Sequence, residues 1–271
     1  MKGECKMGEA IVITSGKGGV GKTTTTANLG TALALMDKKI CLVDTDIGLR
    51  NLDVVMGLEN RIIFDIVDVI EGRCKLKQAL IQDKRFDQLV LLPAAQTTDK
   101  SAVTKEGMQD IISELKQDYD YIIIDCPAGI EQGFQSAVAG ADKAIVVTTP
   151  EHSSVRDADR IIGLLENEEI EHPRLLINRI RNHMMKNGDM LDVDDIVQIL
   201  SIDLIGIVQD DDEVIKASND GEPIAFQPNT KPSIAYRNIA RRILGETVPL
   251  QSLENDKSMF QKVKSFFGMR S

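Results

Sequence analysis

At 271 residues, with 42% apolar side chains and no low-complexity tract, the chain can bury a sizeable core as one or two domains. Its 32 basic and 42 acidic residues give a net charge of -10, which works against non-specific nucleic-acid binding through phosphate neutralisation, so no nucleic-acid partner is expected. No run of about eighteen apolar residues offers a membrane span, and the opening MKGECKMGEA lacks the apolar segment of a secretion signal, so the expected place is inside the cell.

In chain order, a short apolar run at 10–14 reads as a strand and is followed by a glycine-rich loop and helical spacing over 22–36. Further apolar runs rich in Val, Ile and Leu recur at 40–43, 89–92, 121–124, 144–148, 174–177 and 204–208. Continuous runs of this length fit strands covered on both faces. Helical spacing returns over 105–116, 153–165, 193–200 and 234–244. The fold predicted is a single α/β domain over 8–247, a mainly parallel sheet flanked by helices. A polar linker over 248–257 leads to a basic amphipathic segment at 258–271. Cys5, Cys41, Cys74 and Cys126 are scattered without a CxxC pair, which predicts reduced thiols rather than a disulfide framework or a zinc site.

The loop after the first strand reads SGKGGVGKT. Gly16, Gly21, Lys22 and Thr23 satisfy GxxxxGK[ST] between a predicted strand and a predicted helix, the setting of a nucleotide phosphate loop. Backbone N–H groups from Gly16, Lys17, Gly18, Gly19, Val20, Gly21, Lys22, Thr23 and Thr24 would close around phosphate oxygens. Lys22 would reach the β and γ phosphates, and the Thr23 hydroxyl would ligate Mg²⁺. Gly16, Gly18 and Gly21 also spell GxGxxG with Asp44 ending the next strand, the fingerprint of a dinucleotide site. The acids decide between them. A nicotinamide site has no use for Lys22-Thr23, nor for Asp125 closing the buried run YIIID, where it suits the hydration shell of Mg²⁺. In LVDTDIGLRNLD, Asp44 and Asp46 project beyond the second strand and share a face if the chain stays extended. Asp44 suits the outer shell of the magnesium, and Asp46 suits orienting or deprotonating an attacking water. A nucleoside triphosphate and Mg²⁺ are the cofactors these groups imply.

One feature is surplus to any phosphate loop of the common kind, namely the first lysine, Lys17. The stretches KGGVGKT, DTDIGLRNLD, IIIDCPAGIE and LLINRIR together resemble the deviant Walker A ATPases, most closely the branch that determines the septum site, from about residue 8 to the C-terminus. The resemblance implies a role for Lys17 as the lysine that reaches across an ATP-sandwiched homodimer to the partner's phosphates. A cation supplied in trans neutralises charge that develops during phosphoryl transfer. The resemblance further implies that Gly129 senses the γ phosphate, that Asn178 and Arg179 contact adenine, and that Asp46 and Asp125 are the water-activating and Walker B acids. It implies that the nucleotide is ATP and that the chain is a slow, partner-stimulated, Mg-dependent ATPase with a MinC-type division inhibitor and a MinE-type or equivalent topological factor as partners. Related ATPases that place flagella or partition chromosomes form the alternative. Where that family usually has proline after its last core strand, this chain has Gln209.

The last fifteen residues hold four basic side chains, Lys257, Lys262, Lys264 and Arg270, and no acid, so the rest of the chain carries -14. Wound as a helix, Met259, Phe260, Val263, Phe266 and Phe267 fall within an arc of roughly 120°, with Lys262 and Lys264 just beyond its edges. Such a face is suited to lying on an anionic membrane surface. The expected location is therefore cytoplasmic and, with ATP bound, peripheral on the inner face of the cell membrane.

Overall fold

The apolar runs become strands because both of their faces are covered. The computed structural model describes residues 7–98, 102–130 and 132–251. Strands β1 (Glu9–Thr14), β2 (Ile40–Asp44), β3 (Ile81–Gln82), β4 (Leu89–Leu92), β5 (Tyr121–Asp125), β6 (Lys143–Thr148), β7 (Arg174–Ile180) and β8 (Asp203–Gln209) form one sheet in the order β3-β4-β2-β5-β1-β6-β7-β8. Every pairing is parallel except β3 with β4. Ala10 and Val12 of β1 enter a core with Val43, Ile124 and Val146, closed by Met108 and Leu115 of the helix Lys105–Asp118 and by Val155 and Ile161 of the helix His152–Asn167. Ile11 and Ile13 face the other way, into a second core with Leu42, Ile123 and Ile145. Leu29 and Leu33 of the helix Lys22–Ala34, with Tyr236 and Ile239 of the helix Lys231–Ile243, cover that side. The period-two alternation of a strand is hidden in the sequence because both alternating sets are apolar.

The expected elements are present, with boundaries moved by a few residues. Sequence periodicity did not register β3, two residues long, nor the short helices Leu52–Met56, Ile66–Ile70 and Leu76–Ala79 between β2 and β4. Each is too short to complete two turns or a full alternation. The seventh strand, expected over 174–177, runs on to Ile180 through an irregularity between Ile177 and Ile180, within which Arg179 takes a left-handed φ of 56°. Cys41, Cys74 and Cys126 are free thiols. No helix among the described residues is long and apolar enough to cross a membrane.

Two features position the site. First, β1 lies between β5 and β6, so the chain leaves β1 toward β2 on one side and crosses from β5 to β6 on the other. The crevice beyond the carboxyl ends of these strands is where open α/β sheets take ligands. Second, the helix after β1 is buried almost all round and rich in Thr and Ala, with Gly30 near its middle, which lets it sit close to the sheet. A Cβ on Gly30 would stand 2.3 Å from a methyl group of Leu42. At the far end of the chain, Arg242 donates to the carbonyls of Ile205, Val248 and Pro249 at 2.8, 2.9 and 2.7 Å, holding the start of the linker against β8. The amphipathic helix expected at 258–271, with Met259, Phe260, Lys262, Val263, Lys264, Phe266 and Phe267, lies outside the described residues.

The close approach at Gly30 is testable. Gly30→Ala should lower unfolding stability in urea by about 1–2 kcal/mol, because overpacking against Leu42 outweighs the better helix propensity of alanine. An unchanged or raised midpoint would mean that Leu42 turns aside without strain.

Candidate nucleotide site

The loop that follows β1 is shaped by backbone demands that glycine alone meets comfortably. Gly19 and Gly21 take φ of 78° and 99°, and Gly21 is the N-cap of the helix Lys22–Ala34, whose start no side chain caps. A helix beginning on open N–H groups is a ready anion site. Gly16 is equally constrained from outside, since a Cβ there would lie 2.1 Å from the backbone oxygen of Asp157.

The two lysines of the loop point to different places. Lys22 is buried, and its Nζ donates to Ser15 Oγ at 2.9 Å, while Ser15 Oγ donates to the Lys17 carbonyl at 2.7 Å. That chain of bonds curls the loop inward. Lys17 leaves it in the other direction. Its Nζ donates to Ser153 Oγ at 3.2 Å and pairs with Glu151 at 3.6 Å, with 43% of its side chain exposed.

On the acidic side, β2 and β5 run in parallel with Asp44 and Asp125 directly opposite at their ends. Both are buried. Asp125 accepts from Thr26 Oγ1 at 3.3 Å and from the Thr23 hydroxyl. Burial pushes its carboxyl up to about 7, against the pull of Thr23 and the Lys22 charge and with the help of Asp46. Asp44 is likewise raised, first by burial and then by the charge of Asp125. Its Oδ1 accepts from the backbone N–H of Asp46 at 2.9 Å and its Oδ2 from Leu52 at 3.3 Å. The chain therefore does not stay extended through Asp46. Asp44 anchors the turn that carries Asp46, and Thr45 fastens the same turn to β5, its hydroxyl and its N–H donating to the Asp125 carbonyl at 2.6 and 3.1 Å. Thr23, Asp44, Asp46 and Asp125 offer only oxygen donors, the set a hard divalent ion such as Mg²⁺ takes. Gly129, with φ of 97°, follows Ala128, and a Cβ on Gly18 would touch Ala128 at 3.7 Å, so this turn borders the loop.

On the other side of the loop, a cleft of about 330 Å³ opens between Gly21 and Thr24, the strand end at Asn178 and Arg179, and the turn from Gln209 to Asp212. Asn178 is buried, its Nδ2 donating to the Val20 carbonyl at 2.8 Å and its Oδ1 accepting from the Arg179 N–H at 2.9 Å. The Asn178 amide thus braces the phosphate loop. Tyr236 lies in the cleft's lining, 3.5 Å from Thr25 Oγ1.

The fold therefore gathers Lys22, Thr23, Asp44, Asp46 and Asp125 around one point and sets Asn178 and Arg179 in an adjoining cleft, while Lys17 stands apart. Residue patterns missed Ser15, Thr26 and Thr45, which position the charged groups. Thr45 carried a usable signal, lying between two acids at a strand end. Glu151 and Ser153 carried none, being more than a hundred residues from Lys17 in the chain.

A family model described as the CobQ/CobB/MinD/ParA nucleotide binding domain matches residues 11–224. That range includes the glycine-rich loop and both strand-end acids. The septum site-determining protein MinD of Bacillus subtilis (strain 168) is 75% identical over 268 residues, covering 98% of this chain and 100% of that protein. Among solved structures, the MinC:MinD cell division protein complex of Aquifex aeolicus contains a chain 51% identical with a TM-score of 0.84, covering 90% of this chain and 98% of that one. The septum site-determining protein MinD complexed with Mg-ADP from Pyrococcus horikoshii OT3 is 29% identical with a TM-score of 0.80, covering 88% and 96%. The phosphate loop, the paired strand-end acids and these likenesses over nearly the whole chain make it a member of the MinD family of septum site-determining proteins, within the CobQ/CobB/MinD/ParA nucleotide-binding group.

Proposed function

We propose that the chain is a slow, Mg²⁺-dependent ATPase that closes into an ATP-sandwiched homodimer, binds the inner face of the cell membrane in that state, and positions the division site by recruiting a division inhibitor. The observation that carries this reading is the divergence of the two loop lysines. Lys22 is drawn inward by Ser15, whereas Lys17 is held at the surface by Ser153 and Glu151. A lysine so placed serves a neighbour better than its own loop.

Each group then has a task. Lys22 and the open N–H groups of the helix start hold the β and γ phosphates. Thr23 would ligate Mg²⁺, and Asp125 and Asp44 would hold its hydration shell; such an ion would supply the positive charge that the β and γ phosphates need. Asp46 accepts a proton from the water whose oxygen attacks the γ phosphorus, as the bond to the bridging oxygen breaks and ADP leaves. Lys17, released from Glu151 and Ser153, meets the charge building on the partner's phosphates. The Gly129 N–H registers the γ phosphate, and Asn178 and Arg179 border the adenine.

Membrane residence follows from dimerisation. A single basic amphipathic tail binds lipid weakly, and two on one dimer bind far more tightly through effective concentration. Hydrolysis opens the dimer and returns the subunits to the cytoplasm. A relative solved as a MinC:MinD complex supports a MinC-type inhibitor as partner. A MinE-type or equivalent topological factor would stimulate hydrolysis.

In vesicle cosedimentation, more protein should pellet with ATP than with ADP, and Lys17→Ala should lose both the ATP-dependent dimer and this difference while still binding nucleotide. Equal pelleting of the wild type in both nucleotides would sink the coupling, and an unchanged dimer in the variant would remove Lys17 from the partner's site. Replacing Phe260 and Phe267 together by Glu should cut lipid binding at least about tenfold and leave ATP affinity as it was. Loss of both would make the tail part of the core.

A third expectation concerns pH. An unfolded aspartate titrates near 3.8, whereas Asp125 in the fold keeps its proton up to about 7. Between those values the folded chain binds the extra proton, so stability without nucleotide falls as pH rises from about 4 to about 7. Asp125→Asn removes that loss. In urea at pH 8 the nucleotide-free variant should be more stable than wild type by on the order of 1–3 kcal/mol, and the gap should close as pH is lowered toward 4. Lower stability at pH 8 would mean that the bare site favours the carboxylate.

A further inference from the structure

We propose that Thr45 is a positioning residue for ATP hydrolysis, its hydroxyl setting Asp46 against the phosphate loop by way of the Asp125 backbone; the inference rests on the ATPase reading above. Thr45 is the first residue beyond β2 and is buried, 3% exposed. Its N–H donates to the Asp125 carbonyl at 3.1 Å, and its hydroxyl donates to the same oxygen at 2.6 Å. The first bond is open to any residue but proline at this place. The second depends on residue type and takes the remaining lone pair of that carbonyl.

The peptide that accepts both bonds is itself held from the other side. Its N–H, that of Cys126, donates to the Ile13 carbonyl of β1 at 3.2 Å, and β1 runs straight into the phosphate loop. Position therefore passes from the strand that carries the loop, through one peptide unit, to Thr45. Asp46 is the next residue. Its N–H is held by Asp44 Oδ1 at 2.9 Å, and the Ile47 N–H returns to the Thr45 carbonyl at 3.0 Å, so the backbone on both sides of the acid follows Thr45. Packing alone does not fix this turn. Thr45 and Ile47 border a small cavity with Val103, Pro127, Gly133 and Ser136, which leaves the turn room to shift once the hydroxyl bond is lost. A displacement of about 1 Å in a group that must align an attacking water can slow the reaction by on the order of a hundredfold, whereas nucleotide held by the loop itself is left in place.

The test is hydrolysis of Mg-ATP by the full chain on anionic vesicles, with Mg-ADP affinity measured by calorimetry. Thr45→Val should lower kcat about tenfold while KM and Mg-ADP affinity stay within about twofold of wild type, and Thr45→Ser, which keeps the hydroxyl, should stay within about threefold in kcat. In an Asp46→Asn background, Thr45→Val should change kcat no further, because a group that acts through Asp46 has nothing left to position. Wild-type kcat in the valine variant overturns the proposal, as does an equal loss in the valine and serine variants. Loss of nucleotide affinity in proportion to rate overturns it too, assigning Thr45 to the frame of the whole site, and so does a further loss in the Asp46→Asn background. Should the valine variant not fold, Thr45→Ala and Thr45→Ser, which differ from each other only by the hydroxyl, give the same comparison. A wild type that does not hydrolyse ATP, or an Asp46→Asn variant as fast as wild type, fails the ATPase reading itself, and the proposal with it.

Discussion

Two carboxylates buried side by side at the ends of parallel strands are the constraint on which the rest of the site depends. Register places Asp44 opposite Asp125, and neither has room for bulk water. Left alone, such a pair would hold a proton rather than two charges. The fold surrounds them with partial remedies: Thr23 and Thr26 donate to Asp125, Lys22 adds a charge, and the backbone of Asp46 and Leu52 caps Asp44. These keep the acids in place without neutralising them. A divalent ion held there would complete the arrangement, so the oxygen-rich site suits a metal-bound nucleotide and costs the empty protein stability above pH 7.

The same buried pair organises the segments around it. Asp44 fixes the turn that carries Asp46, and the main chain of Asp125 fixes that turn from the other side through Thr45. Helix Lys22–Ala34 brings Thr23 and Thr26 to Asp125 only because Gly30 lets it lie against β2. The phosphate loop, in turn, is braced by Asn178 from β7 and curled by Ser15. Lys17 is outside this system. Its contacts run to Ser153 and Glu151 at the start of another helix, so it can leave them without disturbing the acids or the loop. That independence is what the proposed sharing of Lys17 between two subunits needs.

Much of this was legible beforehand, and for identifiable reasons. The apolar runs at β1, β2 and β5 are long enough to announce buried strands, and SGKGGVGKT announces its loop because glycine, lysine and threonine each meet a separate demand there. β3 was not legible, since two residues carry no period. The short helices before β4 were hidden for the same reason, and the irregularity that turns Arg179 outward leaves no mark in LLINRIR. Asn178 and Gln209 show what residue type leaves out: the resemblance implies that the first contacts the base, and the fold also has its amide brace the loop, while the second reads as a departure in the sequence and lines the same cleft.

By itself, the sequence determined the covered parallel sheet, the phosphate loop between strand and helix, the acids at the strand ends and the charge contrast between body and tail. All of these are set by residue type at short spacing, where chain geometry leaves few alternatives. The tertiary structure alone decided which groups meet: Asp44 with Asp125 across eighty-one residues of chain, Val20 with Asn178, and Lys17 with Ser153 rather than its own loop. Strand order and register make those meetings, and both arise from how the two cores pack against the sheet, a property of the whole chain that no local pattern carries.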